Sequence, residues 1–182
     1  MACRFNGAFR QQRRLGYSSR GVREHIRGPI RHQVVYPPNW GTMKVFRSQL
    51  RVRAYELDSF GHANHAVFLN YLEQARFEAL AAGGFSYEEI QARGWAIHVV
   101  RVEVDYRAEL MLDDALEIET WIADYRRTTM VFGQRILRSR GDAEGSVIAS
   151  ESQVVAVWIC ENRRPMRVPA EMRVALGAPS ST

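Results

Sequence analysis

An aspartate, two histidines and an asparagine fall within one short stretch: Asp58, His62, Asn64 and His65. Asp58 opens a Ser59-Phe60-Gly61 turn, and residues 66–82 that follow contain no Pro or Gly. A carboxylate in a turn just ahead of a helix lies beside backbone N–H groups that have no acceptor inside the helix. Those N–H groups hold negative charge as it develops on a reacting oxygen. The combination suits attack on a carbonyl, with a carboxylate as nucleophile or general base and the helix start as an oxyanion site. A histidine adds a group able to move a proton near neutral pH.

Each of these residues also has a plainer role. An acid before a helix often only caps a turn. His62 fits a turn residue bonded to backbone better than a catalyst. Asn64 is suited to N-capping. Glu73 lies fifteen residues after Asp58, more than two turns into the helix, where an ion pair with Arg76 one turn on is the simpler expectation.

The elements that must position these groups are visible in the periodicity. Leu50, Val52 and Ala54 alternate with Arg51, Arg53 and Tyr55, which predicts a half-buried strand ending at Asp58. Over 66–82, Phe68, Leu72, Ala75 and Ala79 form one apolar stripe, flanked by Leu69, Phe77 and Leu80. So wide a stripe predicts a helix buried over much of its surface. Gly83-Gly84 ends it. Ser86 to Glu89 has the form of a capping box and opens a short helix closed by Gly94. The period then becomes two, over 100–106, 116–122, about 128–139 and about 147–159. Short links between successive strands imply an antiparallel sheet, so the fold class is α+β with one long helix against one sheet.

Bulk properties narrow the function. The 182 residues carry a formal charge of +5, but residues 1–42 hold eight Arg and one acid, a balance of +7. The remainder holds 17 basic and 19 acidic side chains, a balance of −2. The basic character therefore belongs to the first segment, which weakens a nucleic-acid reading of the whole chain. No apolar run approaches the roughly 18–20 residues of a membrane span. Two cysteines without a C-x-x-C pair or a Cys/His cluster point away from a disulfide framework or structural zinc and fit a reducing cytoplasm. Residues 1–42 carry three readings: an unstructured tail, a stretch upstream of a true start at Met43, or an Arg-rich transit peptide. The expected organisation is this extension, a domain over 43–170, and a tail over 171–182.

Motif and element order together resemble the hotdog fold of the 4-hydroxybenzoyl-CoA thioesterase family, in which an antiparallel sheet wraps a long central helix. That family's pattern is a strand, Asp-x-x-Gly-x-x-(Asn/His), an aromatic, then an acid and Ala-Arg on the helix. Asp58, Gly61, Asn64, His65, Phe68, Glu73 and Ala75-Arg76 match it. Within the family the chain is similar to the bacterial long-chain acyl-CoA thioesterase branch, through Leu50 to Arg53, Leu57-Asp58, His62-Ala63-Asn64 and Tyr71 to Arg76. The run from Val99 to Tyr106-Arg107 and the Leu112-Asp113-Asp114 turn also fit. The resemblance covers about residues 44–165.

The resemblance implies hydrolysis of acyl-CoA to a carboxylic acid and CoA. Asp58 would be the carboxylate and the His65 backbone N–H the oxyanion donor. The His65 imidazole would orient water or shuttle a proton, a role that a sister branch with Asn in its place does without. Glu73 is the fallback acid, since some relatives use a helix carboxylate. Gly61, Asn64 and Phe68 would line the substrate site. Tyr125-Arg126-Arg127 occupies the place of a Trp-Arg-Arg stretch that contacts the nucleotide, although Thr128 replaces a Lys of that pattern. Thiolate leaves readily, so no metal or redox cofactor is expected and CoA enters only as part of the substrate. A homodimer or homotetramer is implied, with no nucleic-acid partner and no stable membrane insertion. The rivals are a thioesterase acting on carrier-protein thioesters, a non-catalytic acyl-CoA-binding domain, and a nucleic-acid binder using the basic tail.

Overall fold

The computed structural model describes residues 44–139 and 145–177. The expectations for residues 1–42 lie outside the described residues. Five strands, β1 (Phe46–Arg51), β2 (Ala96–Tyr106), β3 (Ala115–Tyr125), β4 (Thr129–Ser139) and β5 (Ser146–Ile159), form one sheet in the order β1-β3-β4-β5-β2. Every neighbouring pair is antiparallel. Among the described residues there are three α-helices, α1 (His65–Ala82), α2 (Tyr87–Ala92) and α3 (Ala170–Ala175). The α+β class and the antiparallel sheet packed on a long helix are as the sequence predicts.

Helix α1 starts where Asn64 Oδ1 accepts the Ala66 N–H at 2.9 Å. It stops at Gly83 and Gly84, the latter at φ +87°, a conformation costly for any residue with a Cβ. Ser86 Oγ likewise accepts the Glu89 N–H and starts α2.

Two apolar clusters hold the helix on the sheet. Phe68, Tyr71, Leu72 and Ala75 meet Leu116, Ile118, Ile136 and Ala149 toward its N-terminal half. Leu80 joins Phe85, Ile122, Phe132, Val154 and Trp158 at the other end. Full burial of each large apolar side chain contributes about 1.5–3 kcal/mol. Between the clusters runs a polar row. Fully buried Gln134 donates to Leu72 O and Thr120 Oγ1, both at 2.9 Å, and accepts from Arg76 Nη1 at 2.8 Å.

The structure departs from the sequence reading at four places. The first strand stops at Arg51 instead of running to Asp58, because Glu56 turns back to accept the Arg53 N–H at 2.7 Å and closes a 3-10 turn over Ala54–Glu56. Helix α1 is buried on one face only, since the sheet covers one side and leaves Leu69 and Phe77 exposed. Arg76 makes no direct ion pair with Glu73. It reaches instead to Gln134, and burial lowers its pKa while the Glu73 charge opposes that shift. Finally, the stretch expected as a tail from 171 carries most of α3, whose Met172 and the following Leu176 are buried in the second cluster. A six-residue helix is too short to show a period.

Gly133 on β4 sits opposite Trp121 on β3. A Cβ at Gly133 would lie 2.3 Å from the indole ring. Gly133→Ala is therefore expected to destabilise the domain by about 1–3 kcal/mol, read as a lower urea midpoint. Asn64→Ala, which removes the α1 cap, is expected to cost about 1 kcal/mol in the same assay.

Candidate active site

Asp58 stands at the foot of a small hairpin. Its N–H donates to His62 O at 2.8 Å, Gly61 N–H donates to Asp58 O at 3.0 Å, and Leu57 bridges Ala63. Gly61 adopts φ +78°, which the turn requires and a glycine supplies. The Asp58 side chain folds over the turn, with Oδ1 accepting the Phe60 N–H at 2.8 Å and the His62 N–H at 3.4 Å. Among the described residues no hydrogen bond reaches Oδ2, so one carboxylate oxygen remains available for chemistry.

The hairpin leads directly into α1. Asn64 N–H donates to Glu56 O at 3.0 Å, and Ala63 N–H donates to Leu110 O at 2.8 Å. These bonds anchor the helix start to two separate parts of the chain. His65 is the first helical residue. The Ala66 N–H is taken by Asn64, whereas no group among the described residues accepts the His65 N–H. At the same point Tyr106 donates its hydroxyl to His65 O at 3.1 Å. The Tyr106 ring packs edge-on against Phe68, with centroids 5.1 Å apart.

These groups share one open cleft of about 380 Å³, lined by Asp58, His62, His65 and Phe68 and, from the end of β2, by Tyr106, Arg107 and Glu109. Asp58, His65 and Phe68 are therefore brought together. Gly61 shapes the turn and Asn64 the helix start. The β2 residues were legible only as part of a strand, because nothing in their local pattern announces that the register carries them to the helix N-terminus. Arg107 is held by two acids, Asp105 and the buried Glu151. Burial raises the Glu151 pKa.

Glu73 lies elsewhere. It is exposed and borders a small, mainly apolar crevice with Arg76, Phe77, Leu80, Ile97, Val99 and Phe132. Arg126 and Arg127 also stand apart from Asp58, in a basin of about 630 Å³ with Tyr125, Arg167 and Arg173. Tyr125 pairs with Met130, whereas Tyr106 in the cleft pairs with Ser150 and through it with Ile136. Those rows are six residues apart on β4, about 20 Å at strand rise. Arg173 is an addition of the structure. It lies over the Tyr125 ring at 4.9 Å and donates to Arg126 O at 2.9 Å. Only the presence of α3 could have indicated it. Burial pushes the Tyr125 hydroxyl up to about 12, and this hydroxyl has no partner among the described residues.

Comparison with known proteins bears on the family and the fold. The family model described as Thioesterase-like superfamily matches residues 52–176. The acyl-CoA thioester hydrolase YbgC of Escherichia coli is 36% identical over 115 residues, covering 63% of this chain and 82% of that protein. The long-chain acyl-CoA thioesterase FadM of Escherichia coli is 27% identical, over 71% of this chain and 96% of its own. The chloroplastic acyl-acyl carrier protein thioesterase ATL2 of Arabidopsis thaliana is 30% identical over 71% of this chain, which spans 66% of that relative's length. Among solved structures, a variant of 4-hydroxybenzoyl-CoA thioesterase in complex with 4-hydroxybenzoyl-CoA superposes with a TM-score of 0.68. It is 18% identical and covers 72% of this chain and 98% of that one, a likeness of fold. By its matched residues the chain belongs to the Thioesterase-like superfamily, and its antiparallel sheet packed on α1 is the hotdog fold.

Proposed function

We propose that this chain hydrolyses acyl-CoA thioesters to a free carboxylic acid and CoA. The observation that carries the reading is one cleft lined by both the Asp58 carboxylate, with Oδ2 unengaged, and His65, whose N–H has no acceptor among the described residues. A thioester carbonyl between them would meet a nucleophile or base on one side and an oxyanion donor on the other. In the nucleophilic form, Asp58 attacks the carbonyl carbon, the C–S bond breaks with CoA leaving as thiolate, and water cleaves the resulting mixed anhydride. In the general-base form, Asp58 takes a proton from the attacking water. Either form proceeds without metal or redox chemistry. The exposed His65 imidazole would guide water. Phe68 and Tyr106 supply an apolar wall.

The arginine basin supports a CoA substrate. Arg126, Arg127, Arg167 and Arg173 offer charge to phosphate groups, and the buried Tyr125 hydroxyl offers a further donor. A carrier-protein thioester is the second reading. It is favoured by the name of the plant relative and separated from the first by assaying one acyl group on both carriers.

A second copy of the chain is part of this reading. β2 is an edge strand of eleven residues with Val99, Val100 and Val102 exposed, and Leu69 and Phe77 of α1 are exposed too. Joining two sheets at this edge would cover those side chains and satisfy the open backbone groups. A homodimer is the minimum assembly, and a homotetramer would follow from a further contact.

A hydrolysis screen over short, long and aromatic acyl-CoAs tests the activity. Asp58→Asn is expected to lower kcat by roughly 10²–10⁴-fold with the fold intact. Retention of activity in Asp58→Asn together with its loss in Glu73→Gln would move the catalytic role to Glu73. Arg126→Ala and Arg127→Ala are each expected to raise KM for acyl-CoA about tenfold while leaving kcat near wild type. An unchanged KM would remove the basin from substrate binding.

A further inference from the structure

Tyr71 lies on the second turn of α1 with its ring buried, and its hydroxyl donates to Glu56 Oε2 at 2.6 Å. The same carboxylate oxygen accepts the Arg53 N–H at 2.7 Å, and the Glu56 main-chain oxygen accepts the Asn64 N–H at 3.0 Å. Glu56 is thus tied to the flank of the helix, to the end of its own 3-10 turn and to the helix cap. Neither Tyr71 nor Glu56 lines the Asp58 cleft.

The need for such a tie follows from where the reacting groups sit. Asp58 belongs to a four-residue turn, and the His65 N–H belongs to the helix. The bonds between Asp58 and His62 and between Leu57 and Ala63 fix the shape of the hairpin. They do not stop it from pivoting as a unit at its base. Its return strand is held by the Ala63 N–H to Leu110 O. Its outgoing strand has Glu56 at the base, two residues from Asp58. Among the described residues, the one side-chain bond from that strand to the body of α1 is the one to Tyr71, about 9 Å along the axis from His65 at 1.5 Å per residue. Burial raises the Tyr71 pKa, and the hydrogen bond to Glu56 raises it further, so the phenol stays a donor across neutral pH.

We propose that the Tyr71–Glu56 bond is a strut that sets Asp58 at the correct distance from the His65 N–H, which makes both side chains positioning residues for hydrolysis. The proposal rests on the thioesterase reading above. A strut differs from an ordinary stabilising hydrogen bond in what its loss does. Removing it displaces a reacting group and leaves the binding surfaces in place, so turnover falls while affinity holds.

Tyr71→Phe keeps the packed ring and deletes only the hydroxyl. In the full chain it is expected to lower kcat roughly 10–100-fold with KM changed less than about twofold. Hydrogen exchange should accelerate over residues 57–65 while the sheet and the second half of α1 exchange as in wild type. Glu56→Ala, which removes the acceptor, should lose turnover in the same direction. The double variant should be no worse than the poorer single one, because each change deletes the same bond. A Tyr71→Phe kcat within about twofold of wild type would overturn the strut, as would exchange rising equally throughout the sheet, since a uniform loss is ordinary destabilisation. Losses that multiply in the double variant would overturn it as well. Wild-type protein that hydrolyses no acyl-CoA would defeat the functional reading instead. Unchanged exchange over 57–65 in Tyr71→Phe would then separately defeat the strut.

Discussion

A helix can hold a developing oxyanion only if its first N–H groups stay unbonded, yet a helix start with no partners frays. In this domain the conflict is resolved by dividing the donors. Asn64 takes the Ala66 N–H and secures the cap. The neighbouring His65 N–H has no acceptor among the described residues, and His65 lines the cleft. The helix start is then held from outside, by Asn64 N–H to Glu56 O, by Ala63 N–H to Leu110 O and by the Tyr106 hydroxyl to His65 O. Each of these ties comes from a different part of the chain, so the 3-10 turn, the loop before β3 and the end of β2 all converge on residues 63–65. The position of Asp58 is a consequence, because its hairpin grows from the same three anchors.

The middle of α1 is fixed by a different means. Gln134 uses both amide protons and its oxygen in a fully buried row, which sets the height and rotation of the helix on the sheet. A buried amide is costly unless all its partners are present. A helix shifted by one residue would break the bond to Leu72 O, so the row specifies register as well as contributing stability. The apolar clusters on either side supply the burial, and the polar row selects which of several apolar packings is adopted. Through α1, that choice also determines where the His65 N–H points.

Most of this fold was legible in the chain because its signals are local. β2 to β5 carry a period of two, α1 carries helical spacing between Asn64 and Gly83, and Ser86 caps α2. The reading missed where a side chain overrode the pattern or where an element was short. Glu56 ended β1 early, and α3 had too few residues to show a stripe. The pairing of Arg76 with Gln134 instead of Glu73 depended on a partner fifty-eight residues away, beyond any local rule. For the site, the turn at Asp58 and the cap at Asn64 were visible as types and spacing. Tyr106 joined the cleft through the register of β2 on β5, and Arg107 and Glu109 follow just after the strand. The wide apolar stripe on α1 led to an expectation of more burial than the sheet provides. Leu69 and Phe77 lie on the side the sheet leaves open, and these are the side chains a second copy would cover.

The central claim is that Asp58 and the His65 N–H face one thioester carbonyl. The most direct measurement is a crystal structure of Asp58→Asn with an intact acyl-CoA bound. The account predicts the thioester oxygen about 3 Å from the His65 backbone nitrogen and the carbonyl carbon against the side chain at position 58. A thioester lodged beside Glu73, or one whose oxygen points away from the start of α1, would contradict it.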